Sequence, residues 1–126
     1  MSQLIKIALV DDDQDACELI KLQLESTERF QVSYTTQPGE AEKLVADQKS
    51  DLVILDINMP DRHGVEIASI LSAKPETASL PILYLSGMVS PEEVLKFGGD
   101  EAHRTLISKG SPITELIGAI DRLIAG

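Results

Sequence analysis

Cysteine is nearly absent: Cys17 is the only one in 126 residues. An internal disulfide is therefore excluded, and with only two histidines no zinc-type ligand cluster can be assembled. Basic residues are few, 11 Lys and Arg against 21 Asp and Glu, giving a net charge of −10 and a pI near 4.5. That balance argues against a nucleic-acid surface, which needs clustered Lys and Arg. It also disfavours anionic membrane. No apolar run approaches the length of a membrane span. One Lys and a short apolar run stopped by Asp11 make no secretory leader. Repeats and linkers are missing too. The expectation is a cytoplasmic protein in one domain, residues 1–126, with one core. An acidic surface suits solubility and basic or mixed protein partners without selecting one.

Hydrophobic residues make up 43% of the chain, ordinary for a folded protein. The most informative stretch is Asp51-Leu52-Val53-Ile54-Leu55-Asp56-Ile57-Asn58-Met59-Pro60, running on to Gly64. Four apolar residues ending on a carboxylate, with Pro and Gly close behind, read as a strand buried on both faces of a parallel sheet. Asp56 then sits at the carboxyl end of a central strand, where open α/β sheets place their ligands.

Leu4 to Val10 reads as a first buried strand ending on Asp11-Asp12-Asp13. Asp13 is placed to cap a helix in which Ala16, Leu19, Ile20, Gln23 and Leu24 fall at helical spacing. Cys17 lies in that pattern and reads as packing. Gln31 to Thr35 is a second, peripheral strand. Pro38 opens a helix with Ala41, Leu44 and Val45 inward, and Gly64 opens another through Ile67, Ala68, Ile70 and Leu71. Pro81 to Leu85 is the fourth strand, ending on Ser86-Gly87. Ser90-Pro91-Glu92-Glu93 carries a helix start, with the helix giving out near Gly98-Gly99 unless Glu101 to His103 extend it. Thr105 to Ser108 is the fifth strand, ending on Lys109. Ser111-Pro112 begins a last helix with Ile113, Leu116, Ile117, Ile120, Leu123 and Ile124 on one stripe.

Five alternating strand-helix units imply an α/β protein: a doubly wound parallel sheet with right-handed crossovers and helices on both faces. Asp11, Asp12, Asp56, Ser86 and Lys109 then fall on one sheet edge. Three neighbouring carboxylates repel one another unless a cation sits among them. Oxygen-only ligation suits Mg²⁺, or Mn²⁺ in its place. With an ammonium and a hydroxyl opposite, such a site can neutralise a phosphoryl group in transit, and Asp56 is the candidate nucleophile.

Val10-Asp11-Asp12, Leu55-Asp56-Ile57-Asn58-Met59-Pro60 with Gly64, Leu85-Ser86-Gly87 and Ser108-Lys109 resemble the receiver (CheY-like) domain of two-component response regulators over essentially the whole chain. The resemblance implies a flavodoxin-like strand order of 2-1-3-4-5. It implies that Asp56 takes a phosphoryl group from a phosphohistidine on a sensor kinase or histidine phosphotransfer protein. Asp12 would ligate Mg²⁺ directly, Asp11 through water, and Asn58 through its main-chain carbonyl. Lys109 would pair with Asp56 and then with the phosphoryl oxygens, while Ser86 and Gly87 would bind the phosphoryl group and move with it. The shift would alter a surface on the last two helices and the fifth strand, read by an output protein. No turnover of an outside substrate is implied.

Two positions depart from the family pattern. Gly110 stands where Pro usually follows the lysine through a cis bond, and Leu106 replaces the usual aromatic of the switch. Met88 and Asn58 flank the phosphoryl pocket in the family.

Rival readings are weaker. Asp11, Asp13 and Asp15 match the start of an EF-hand loop, but Ala16 and Leu22 stand where Gly and Glu are needed. A haloacid-dehalogenase-type phosphatase, with Asp11 as nucleophile, would need Thr or Val at Asp15 and a longer chain. A pseudo-receiver used only for docking ranks below a working switch, because every acceptor-site residue is present. His63 and His103 have no companions for chemistry and read as loop residues. Tyr84 reads as packing. A stand-alone regulator and a domain of a larger protein are equally compatible with the sequence.

Overall fold

The computed structural model describes residues 4–57, 64–87, 100–101 and 104–125. The chain runs β1 (Ile5–Val10), α1 (Gln14–Glu25), β2 (Phe30–Thr35), a 3₁₀ turn (Pro38–Glu40), α2 (Ala41–Gln48) and β3 (Leu52–Asp56). It continues through α3 (Gly64–Ser72), β4 (Ile82–Ser86), β5 (Asp100–Glu101), β6 (Arg104–Ser108) and α4 (Ile113–Ala125).

The sheet is ordered β2-β1-β3-β4-β6-β5. Its first five strands in that order are parallel, the arrangement expected from the sequence, with β6 as the expected fifth strand. The two-residue β5 is an addition: it pairs antiparallel with β6 and lies beyond it. Asp100 and Glu101 thus form an edge strand, so Glu101 does not extend a helix. Pairing along β6 gives both residues backbone partners that an outer sheet edge otherwise lacks. The helix expected from Ser90, together with Asn58, Met88, His63 and His103, lies outside the described residues.

Alternation in the strands builds two cores, one on each face of the sheet. Ile7, Leu9, Leu52, Ile54, Leu83, Leu85 and Ile107 pack beneath α1 and α4. Ala8, Val10, Val53, Leu55 and Ile82 pack beneath α2 and α3. Every residue of β3 is buried, as an unbroken apolar run in a central parallel strand requires.

Two helix faces differ from expectation. On α1, Cys17 and Leu24 are buried and Ile20 is packed against them, whereas Leu19 is 55% exposed. On α4, Leu116, Ala119, Ile120 and Leu123 are buried, but Ile124, near the helix end, remains exposed. Asp13 caps α1 as anticipated, accepting from the N–H groups of Asp15 and Ala16 at 3.0 and 3.3 Å.

Candidate functional site

Four strand ends converge because parallel strands deliver their carboxyl termini to one edge. Asp11 follows β1 directly, and its N–H reaches the Thr35 carbonyl of β2 at 3.3 Å. Its side chain is wholly buried. Oδ1 accepts from the Asp13 N–H at 3.0 Å, so the residue that caps α1 also fixes this carboxylate. Beneath it, the Cys17 thiol donates to the Asp11 carbonyl at 3.4 Å. Burial, reinforced by Asp11, pushes that thiol up to about 12. Cys17 is therefore more than filler: it ties α1 to the turn that carries Asp11. Nothing in the sequence beyond its place in the apolar pattern signalled that bond.

Asp56 is the last residue of β3 and is 3% exposed. Ser86 ends β4, buried, one step beyond the Asp56–Leu85 pair. Lys109 follows β6, and its N–H donates to the Ser86 carbonyl at 2.9 Å. The Lys109 Nζ lies 2.7 Å from Asp11 Oδ2 and 3.3 Å from Asp56 Oδ2. The sequence led us to expect the pairing with Asp56; the closer contact to Asp11 is new. Burial works to lower the lysine pKa, but attraction by Asp11 and Asp56 outweighs it, and the net shift is upward. The ammonium is thereby held in its charged form.

One oxygen each of Asp11, Asp12 and Asp56 lies within 4.8 Å of the others, a cluster with the spacing of a metal site. Asp12 is exposed and the other two are buried. Asp11 Oδ2 is buried and lies against the Lys109 ammonium as an ion pair. Three hard carboxylate oxygens so placed, with Asp12 open to solvent, fit Mg²⁺ with several waters retained.

The remaining residues of the pattern fall nearby. No peptide bond among the described residues is cis, so Lys109–Gly110 is trans. Gly87 is exposed, and a Cβ there would meet Lys109 Cδ at an ordinary 3.6 Å. Leu106 is half-buried on β6 and pairs across the sheet with Tyr84, itself packed on the α2–α3 side.

Gly64 is constrained far more tightly. Its N–H donates to the Ile57 carbonyl at 3.2 Å, and a Cβ would lie 2.5 Å from the Asp56 carbonyl oxygen. Main chain cannot yield there without displacing Asp56. Gly64→Ala is expected to destabilise the fold by about 1–3 kcal/mol, the usual cost of overpacking, seen as a lower urea midpoint. An unchanged midpoint would mean that the start of α3 moves freely.

The comparisons agree with this geometry. The model of the "Response regulator receiver domain" family matches residues 7–121. The cell cycle response regulator CtrA of Brucella ovis is 36% identical over 101 residues, covering 77% of this chain and 42% of that protein. The phosphate regulon transcriptional regulatory protein PhoB of Rhizobium meliloti is 37% identical over 81 residues, covering 64% of this chain and 35% of its own length. This chain therefore spans less than half of those relatives. Among solved structures, the non-phosphorylated HemR receiver domain of Leptospira biflexa superposes with a TM-score of 0.75 at 30% identity, covering 96% of this chain and 94% of that one. With the sheet order, the acidic edge and the family match in agreement, the chain belongs to the receiver domains of two-component response regulators.

Proposed function

We propose that this chain is an Mg²⁺-dependent phosphoacceptor in which Asp56 takes the phosphoryl group. The observation that carries the reading is the Lys109 ammonium set between Asp11 and Asp56 at an edge bearing three carboxylates. Asp12 and Asp56 would ligate the metal directly, Asp11 through water, and Asn58 through its carbonyl. Held by those residues, the metal would supply positive charge to offset that on the phosphoryl oxygens.

The chain's own residues do the rest. A carboxylate oxygen of Asp56 attacks phosphorus as the P–N bond to a donor imidazole breaks, and the imidazole leaves with the electron pair. Lys109 holds Asp56 in place beforehand and meets a phosphoryl oxygen afterwards. Ser86, with Gly87 beside it, donates its hydroxyl to another. Water later cleaves the acyl phosphate, returning the Asp56 carboxylate and inorganic phosphate. Turnover of an outside substrate is no part of the reading.

The donor is a phosphohistidine on a sensor kinase or histidine phosphotransfer protein, and the phosphorylated form engages an output protein through a changed surface near β6 and α4. Leu106 fills the place of the usual aromatic, so the change runs through Ser86 and Lys109 without a ring swing. We assign the whole of residues 1–126 to this one domain, in the cytoplasm. Regulation of transcription belongs to PhoB by name; the acidic balance of this stretch disfavours contact with nucleic acid by the stretch itself. No helix among the described residues is long and apolar enough to cross a membrane.

Incubation with a small phosphodonor tests the reading by intact mass. With Mg²⁺ the chain should gain one base-labile phosphoryl group; with excess chelator it should gain none. A chain that never takes the label would be a docking module instead.

A further inference from the structure

We propose that Ser108 is a positioning residue whose hydroxyl aims Lys109; this rests on the reading of Lys109 as the ammonium of the phosphoryl site. Ser108 ends β6 and is 4% exposed. Its Oγ accepts from the Gly110 N–H at 3.1 Å, and its carbonyl accepts from the Ser111 N–H at 3.0 Å. Those two bonds fold the chain into a four-residue turn from Ser108 to Ser111, with Lys109 in its second position. On the other side, the Lys109 N–H is held by the Ser86 carbonyl at 2.9 Å. One serine thus supplies both bonds that close the main chain around the lysine.

The hydroxyl matters because nothing covalent stiffens this turn. Gly110 carries no side chain, its φ lies outside the left-handed region, and the bond before it is trans. A Cβ at Gly110 would meet Ser108 Oγ at 3.5 Å, an ordinary contact. The glycine is therefore demanded neither by strain nor by space; what position 110 contributes is its N–H. Gly110 is exposed, so without the hydroxyl its N–H turns to water and the turn loses a tether. A lysine delivers its charge on a long flexible stem. Small freedom at its Cα becomes large freedom at Nζ, where the two carboxylates wait at 2.7 and 3.3 Å.

The test compares Ser108→Ala, Ser108→Thr and Gly110→Ala in the full chain. Ser108→Ala should lower the maximal labelling rate about tenfold, the scale of a lost hydrogen bond, with the Mg²⁺ midpoint near that of the parent and the thermal midpoint lower by a few degrees, about the cost of one buried hydrogen bond. Ser108→Thr keeps the hydroxyl and should recover most of the rate, while Gly110→Ala keeps the N–H and should label normally. In a Lys109→Met background, Ser108→Ala should cost nothing more, because both changes act through one ammonium. A readout free of labelling is amide exchange: Gly110 should exchange about tenfold faster in Ser108→Ala but not in Ser108→Thr, with the β4 and β6 amides unchanged.

Unaltered exchange at Gly110 would remove the tether. Equal slowing by Ala and Thr would assign the effect to volume, and an undiminished cost in the Lys109→Met background would place it elsewhere. If the parent takes label and Ser108→Ala takes it at the same rate, this role fails alone. If the parent takes none, the phosphoacceptor reading and this role fall together.

Discussion

Asp56→Asn should end phosphoryl labelling altogether while leaving the fold at least as stable as before. The amide keeps the shape of the carboxylate but lacks the charge that makes it a nucleophile. No label should appear on intact mass at any Mg²⁺ concentration that saturates the parent; full labelling would place the acceptor at another residue. The stability half follows from charge balance. Asp56 faces two like charges within 4.8 Å and one ammonium at 3.3 Å. At an effective dielectric of about 20 these are opposing contributions of roughly 3–5 kcal/mol each, and the exposure of Asp12 weakens one of them. Their difference favours the neutral amide by on the order of 1 kcal/mol. The metal-free urea midpoint should therefore rise, and the further rise on adding Mg²⁺ should shrink, since one ligand is weakened. A fall in the metal-free midpoint would show that the Lys109 pairing outweighs the repulsion.

Lys109→Met should move stability the other way and slow labelling without abolishing it. Methionine is of similar length and fills the same apolar track, so the main loss is charge. Asp11 and Asp56 are then left buried beside Asp12 with no cation between them. Breaking a buried pair from one side costs about 3–5 kcal/mol, which should appear in urea unfolding without metal. Mg²⁺ should return part of that loss, because a divalent ion answers the same carboxylates. Labelling should fall by about 10²–10³, the usual cost of deleting one charge-stabilising group at a reacting centre. Labelling at the parental rate would remove the ammonium from the phosphoryl site.

Much of this was legible in the residues. The run Leu52 to Leu55 could be placed at the sheet centre because only a strand covered on both faces tolerates four apolar residues in a row. The carboxylates, Ser86 and Lys109 could be brought together because every parallel strand ends on the same side. What could not be read depended on packing angles. Apolar residues of α1 occur at 16, 17, 19, 20, 22 and 24, wider than one stripe, and only the seat of the helix against β2 and α4 decides that Cys17 turns inward and Leu19 outward. Ile124 continues the α4 period but lies near the helix end and stays exposed. The closer approach of Lys109 to Asp11 than to Asp56 is a matter of tenths of an ångström, set by the turn after β6. The strand at Asp100–Glu101 has no pattern of its own and exists through its pairing with β6.

The chain's only thiol, that of Cys17, lies directly under the residue that starts the acidic edge, yet it is wholly covered. With its proton held to about 12 by burial and Asp11, little of it is thiolate at neutral pH, and the thiolate is the form that reacts with peroxides and disulfides. Cover and a held proton together keep this thiol out of thiol–disulfide exchange in the folded molecule, so its part is to hold α1 to the acidic edge.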